Sequence, residues 1–82
     1  MSTVFCKKFK GEKEALESPP LFGPIGKIIF ENISKEAFEE WMELEIKIIN
    51  EERLDLSEKK SQDRLFEAMI NFLELEEFFS AA

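Results

Sequence analysis

Apolar and polar positions along the chain follow two different rhythms. Near the N-terminus Val4, Phe5, Cys6 and Phe9 interleave with Lys7, Lys8 and Lys10, a β-favouring run that predicts a strand over residues 4–10 entering a turn at Gly11. Alternation puts Val4, Cys6 and Lys8 on one face and Phe5, Lys7 and Phe9 on the other, and leaves open which face meets the core. Residues 12–16, Glu-Lys-Glu-Ala-Leu, can return as the second strand of a hairpin over residues 3–17, although the same composition suits a helix. All three prolines fall in Ser18-Pro19-Pro20-Leu21-Phe22-Gly23-Pro24. That excludes a helix interior or a central strand and predicts an ordered, extended loop over 18–24 in which Leu21 and Phe22 pack down.

Beyond the prolines the period becomes helical. Pro24 suits a first helical turn, and Ile25, Ile28, Ile29 and Ile33 recur at helical spacing, which predicts a helix over 25–32. Ser34 is a good N-cap and Glu36 favours the helix dipole, so a second helix is expected over 35–52. Its apolar stripe is Phe38, Trp41, Met42, Ile48 and Ile49, with Glu36, Glu39, Glu40, Glu43 and Lys47 opposite. Ser57 is the expected cap of a third helix over 58–76, whose buried face is Leu65, Phe66, Met69, Phe72 and Leu73. The tail from Phe78 to Ala82 either folds back or frays.

At 82 residues, 44% of them apolar and nine of them Phe, the chain predicts one compact domain with one small core. Cys6 is the single cysteine, so no intrachain disulfide can form and a reducing, cytoplasmic location is expected. No run approaches a membrane span and no leader precedes the strand, so neither a membrane nor export is expected. The net charge of -7 argues against nucleic acid or an anionic membrane as partner. The charge is uneven: residues 1–27 hold five Lys against three Glu, and residues 28–82 hold six basic against 15 acidic side chains.

There is no histidine, which removes His-based nucleophile systems, a His general base and a two-His-one-carboxylate iron site. One Cys cannot build a structural zinc site, and three Gly form no phosphate loop. A hydrolase or redox enzyme therefore lacks its parts, and the chain is expected not to be an enzyme. Cys6 carries two readings: a reactive, redox-sensitive thiol favoured by Lys7, Lys8 and Lys10, or a small buried hydrophobe. Glu45 breaks the apolar stripe of the second helix between Trp41 and Ile48–Ile49. A carboxylate there must reach a backbone donor, a base such as Lys8 or Lys27, or a cation. Glu39, Glu40 and Glu43, Glu51 and Glu52, and Glu74, Glu76 and Glu77 offer oxygen ligands for a divalent ion, or are ordinary solvated helix faces. Cys6 and Glu45 are thus the candidate metal-contacting residues, without a defined site.

Phe5-Cys6, Pro19-Pro20, Gly23, Gly26, Ile33-Ser34-Lys35-Glu36-Ala37, Trp41, Ile49-Asn50-Glu51, Leu54, Arg64, Met69 and Phe72-Leu73 occur in an order that resembles the bacterial ferrous-iron-trafficking and oxidative-damage-protection family. The resemblance spans residues 4–73. It implies an α+β fold, an N-terminal antiparallel β-hairpin packed on about three α-helices. It also implies a role in moving ferrous iron and in the synthesis, repair or oxidative protection of iron–sulfur clusters, with assembly or client proteins as partners. By the same similarity Cys6 matches the family's near-N-terminal cysteine. The chain departs from the family at Ile28 (usually Arg), Phe38 (usually Trp) and Glu45-Ile46-Lys47 (usually Gln-Thr-Met), and Phe22 and Pro24 reshuffle the usual Pro-Gly-Glu turn. The expected function is a monomeric carrier that binds ferrous iron weakly or transiently. The competing expectation is a non-metal adaptor that holds a protein partner through its acidic helices or the Leu21-Phe22 loop.

Overall fold

The computed structural model describes residues 2–79. The fold is α+β: strands β1 (Thr3–Cys6) and β2 (Gly11–Glu14) pair antiparallel, and helices α1 (Gly23–Asn32), α2 (Lys35–Glu52) and α3 (Lys59–Phe72) follow, with a 3-10 turn at Glu76–Phe78. Two compact units divide the chain, Met1–Glu39 and Glu40–Ala82, and α2 runs through the boundary.

In the first unit β1 is shorter than its residue pattern predicts. Cys6 pairs with Gly11, so Lys7-Lys8-Phe9-Lys10 are the hairpin loop rather than strand. The Lys10 N–H donates to the Cys6 carbonyl at 2.7 Å, and Lys10 takes φ 59° to close the turn. The loop folds a cation over an aromatic face, Lys13 Nζ lying 5.1 Å from the Phe9 ring centre. The core face of β1 is the one with Val4 and Cys6: Cys6 is fully buried and Phe5 is 55% exposed.

Helix α1 starts at Gly23, two residues before the expected position, with Pro24 in its first turn. Gly23 sits at φ 82°, a conformation glycine adopts without strain. Gly26, one turn on, is buried directly against the backbone of Leu21. Leu21 and Phe22 do not pack down as expected. Phe22 is 100% exposed and Leu21 is 42% exposed, because the turn into α1 spends the loop's buried surface on the Gly26–Leu21 backbone approach and projects both side chains outward.

The connection from α1 to α2 is clamped to the hairpin. The Lys7 N–H donates to the Asn32 carbonyl (2.9 Å), Ala15 bridges to Ser34, and the Ser34 N–H points at Cys6 Sγ (3.4 Å). Ser34 is the N-cap that its sequence position indicates, its Oγ accepting the Ala37 N–H at 3.1 Å. Ile29, Ile33, Ala15 and Ala37 fill the space around this knot. Replacing Ser34 by alanine removes the cap and is expected to lower stability by about 1–2 kcal/mol, read as a lower urea midpoint at unchanged slope.

The second unit buries Trp41, Leu65, Met69, Ile70, Leu73 and Leu75. Trp41 and Phe72 pack tilted at 41°, ring centres 6.3 Å apart. Three expectations are corrected here. Phe66 and Met42, assigned to buried faces, are 40% and 42% exposed, while Ile70 takes the inward position on α3. Ser57 does not cap α3: the helix begins at Lys59, and Ser57 instead donates through both its N–H and Oγ–H to Asp55 Oδ1 (3.0 and 2.6 Å), an Asx turn in the connection. Those two hydrogen bonds, the side-chain one first, hold the Asp55 carboxyl below its usual range. Finally, α3 stops at Phe72 instead of 76. Glu74 adopts φ 59°, the Glu74 N–H donates to Asn71 and the Leu75 N–H to Ile70, a Schellman turn that tucks Leu75 fully inside. Helix α2 ends the same way, with Arg53 at φ 52° and the Leu54 N–H donating to Ile49. Of the apolar tail, Phe78 and Phe79 lie on or just past the 3-10 turn, Phe79 edge-on to Phe66, and residues 80–82 lie outside the described residues.

Candidate functional site

Cys6 ends β1 at the point where hairpin, loop and α1–α2 connection meet. Its thiol is completely buried, and polar donors of Ser34, Phe9 and Lys8 are directed at it. Burial pushes the thiol pKa up. Hydrogen bonds from the Ser34 side chain and backbone, and from the Phe9 and Lys8 backbone, outweigh that effect, and the net direction is below the ordinary 9.0. Lys10 Nζ is directed to the Lys7 carbonyl at 2.7 Å. The structure thus places Cys6 as the small, buried core residue of the second reading, with the Ser34 side chain and backbone N–H groups as its polar neighbours.

Two consequences are measurable. The folded-state pKa is the lower one, so the thiolate contributes stability that is fully present above the unfolded value near 9.0 and is lost as pH falls through the folded value. Denaturation midpoints of the wild type are expected to rise with pH across that interval relative to Cys6→Ser. Because the sulfur is buried, its alkylation by iodoacetamide is expected to be at least ~100-fold slower in the native than in the urea-unfolded protein, since reaction requires opening of the hairpin loop.

The hairpin and the start of α2 border a second feature. Glu12, Lys13 and Glu14 of β2 face Lys35, Glu36 and Glu39 across an open cleft of about 480 Å³. Lys13 Nζ sits 3.4 Å from Glu36 Oε1, with both side chains well exposed, so this ion pair is weak and readily exchanged. Four carboxylates thus line this open cleft without converging on one point. Among them Glu36 and Glu39 belonged to the expected polar face of α2. The contribution of Glu12 and Glu14 was missed, and its only signal is the i, i+2 spacing of acids on a return strand.

Glu45 lies on the inward stripe of α2, as its spacing indicates, and is half-buried. No hydrogen bond or ion pair within its own unit includes it among the described residues. Glu40, Glu43, Glu51 and Glu74, Glu76 and Glu77 are exposed. Glu52 is engaged by Arg64 in a two-pronged pair at 2.7 and 3.0 Å. Cys6, Glu45 and these faces are not brought together: among the described residues no three Cys, Asp or Glu side chains converge as metal ligands. The available donors are exposed carboxylate oxygens, which suit a hydrated divalent cation held loosely and exchanged fast. No helix of the described residues is long and apolar enough to cross a membrane.

Comparison with known proteins places this chain. A family model described as bacterial Fe(2+) trafficking matches residues 1–81. A probable Fe(2+)-trafficking protein of Hahella chejuensis is 44% identical over 78 residues, covering 95% of this chain and 88% of the relative. One from Marinomonas sp. strain MWYL1 is 45% identical over 71 residues (87% and 76%), and one from Dechloromonas aromatica is 46% identical over 65 residues (79% and 72%). With a match running from the hairpin through α3 and the turn that follows, the chain belongs to the bacterial Fe(2+)-trafficking family.

Proposed function

We propose that this protein is a ferrous-iron carrier of the bacterial cytoplasm that supplies the synthesis or repair of iron–sulfur clusters and so limits their oxidative damage. It acts as a monomer and catalyses no reaction of its own. The family match over residues 1–81 supports the iron-trafficking part of this reading. Its chemistry follows from the donors present. Ferrous iron accepts oxygen ligands, and the cleft of Glu12, Glu14, Glu36 and Glu39 offers them at the surface. Lys13 serves as an internal counter-ion that an arriving cation displaces. Ligands of this kind leave most of the hydration shell in place, so affinity is modest and release to an assembly or client protein is fast. Cys6 is the redox-sensitive partner: its thiolate is stabilised in the fold, and it meets metal or oxidant only when the Lys7–Lys10 loop opens. Cells in which Cys6→Ser replaces the wild type are expected to lose protection of an oxidant-sensitive cluster enzyme during peroxide exposure. Full protection by the variant would remove the thiol from the mechanism.

A second reading has one observation in its favour. Phe22 stands wholly in solvent at the tip of a loop fixed by Pro20, Gly23, Pro24 and Gly26, a geometry suited to an adaptor that inserts an aromatic side chain into a partner. The adaptor requires no iron binding, and Phe22→Ala would abolish partner recognition without changing iron affinity.

A further inference from the structure

One side chain touches both walls of the enclosure around Cys6. The backbone N–H groups of Lys8 and Phe9 are directed at the buried sulfur from the hairpin loop, and the N–H of Ser34 from the residue that caps α2. Lys13 on β2 reaches each side. Its Nζ lies 5.1 Å from the centre of the Phe9 ring and 3.4 Å from Oε1 of Glu36 in the first turn of α2. Contacts therefore run without a break from the sulfur through Phe9 and Lys13 to a carboxylate of the hairpin–α2 cleft.

We propose that Lys13 is a latch that holds the Lys7–Lys10 loop closed over Cys6, and that a divalent cation taking Glu36 releases it. While Lys13 is paired with Glu36, the loop cannot leave α2 without breaking either the cation–π contact or the ion pair. A cation on Glu36 removes the ion pair and repels the ammonium group, so that Lys13 moves with the loop and opening becomes more frequent. Both contacts are exposed and weak, and the latch biases an opening equilibrium instead of locking the thiol away. Occupancy of the cleft is thereby read out as accessibility of a thiol on the other side of the hairpin loop. Release by a cation rests on the carrier reading of the cleft, whereas the latch itself does not.

The rate of Cys6 alkylation by iodoacetamide in the native full chain, at low and matched ionic strength, reads the opening. Lys13→Met is expected to raise that rate about fivefold and Glu36→Gln about twofold, with Lys13→Arg close to the wild type. Manganese(II), the probe cation, is expected to accelerate the wild type about twofold and Lys13→Met not at all. Arg64→Gln breaks an exposed ion pair in the second unit and is expected to leave the rate unchanged. The latch is overturned if Lys13→Met reacts no faster than the wild type, if Arg64→Gln accelerates the reaction as much, or if manganese accelerates the wild type and Lys13→Met alike. Amide broadening by the paramagnetic ion separates this outcome from that of the carrier reading. Broadening at Glu36 with an unchanged wild-type rate overturns the coupling and leaves the carrier standing. No broadening there removes the cation from the device and counts against the carrier, while the Lys13→Met rate still decides the latch.

Discussion

Replacing Gly26 by alanine is expected to destabilise the protein by about 3 kcal/mol or more. Helix propensity alone points the other way, since alanine is favoured over glycine by about 1 kcal/mol in a helix interior. Packing decides the sign. A Cβ built on Gly26 falls inside the carbonyl group of Leu21, and the obstructing atoms are backbone rather than the end of a flexible side chain. Relief requires moving the Pro-rich loop away from α1, which is pinned on its other side by Gly23 at φ 82° and by Pro24. A chain of this length has a total stability of about 4–12 kcal/mol at the usual value per residue, so the substitution removes much of it. Urea denaturation followed by circular dichroism reads the change, and a midpoint equal to or above that of the wild type would show that the Gly26–Leu21 approach is not formed.

Trp41→Ala is expected to be comparably severe, about 3–5 kcal/mol, and for a different reason. Trp41 is 3% exposed and packs its ring against Phe72, so truncation leaves a void in the second unit where Leu65, Met69, Leu73 and Leu75 are also buried. Trp41→Phe keeps an aromatic face and is expected to recover at least half of the loss. If alanine and phenylalanine cost the same, the loss does not come from packing against Phe72.

Much of this architecture was legible because local signals and burial agree. Ser34 had the right residue type ahead of a helical stripe, and it caps α2 through Ala37. Pro24 marked the first turn of α1. The misread boundaries share a physical cause: the turns are made by residues that do not advertise them. Lys10, Arg53 and Glu74 take positive φ without being glycine, so the end of β1 and of α3 had no glycine to mark them. Asp55 binds Ser57 and removes it from the capping role its position implied. Phe22 was expected inside because it is apolar, but the steric demand of Gly26 against Leu21 sets the loop's path and leaves Phe22 outside.

The candidate site was less legible than the fold. Cys6 was singled out by residue type, yet the donors directed at its sulfur come from Ser34, 28 positions away, and from loop N–H groups, which no pattern of neighbouring charges reveals. The cleft depends on hairpin register, Glu12 opposite Phe5 and Glu14 opposite Thr3, bringing β2 alongside the first turns of α2. Acidic residues in sequence announce only a solvated surface. Their placement along one cleft belongs to tertiary structure.

The central proposal is that this chain carries ferrous iron on the exposed carboxylates of the hairpin–α2 cleft. An anaerobic titration of ferrous iron into the isotope-labelled protein, with amide line broadening followed residue by residue, tests it directly. The account predicts saturable broadening centred on Glu12, Glu14, Glu36 and Glu39, reduced by Glu36→Gln. Unsaturated broadening spread evenly over every acidic face, unchanged in that variant, would contradict a carrier site and leave the adaptor reading in its place.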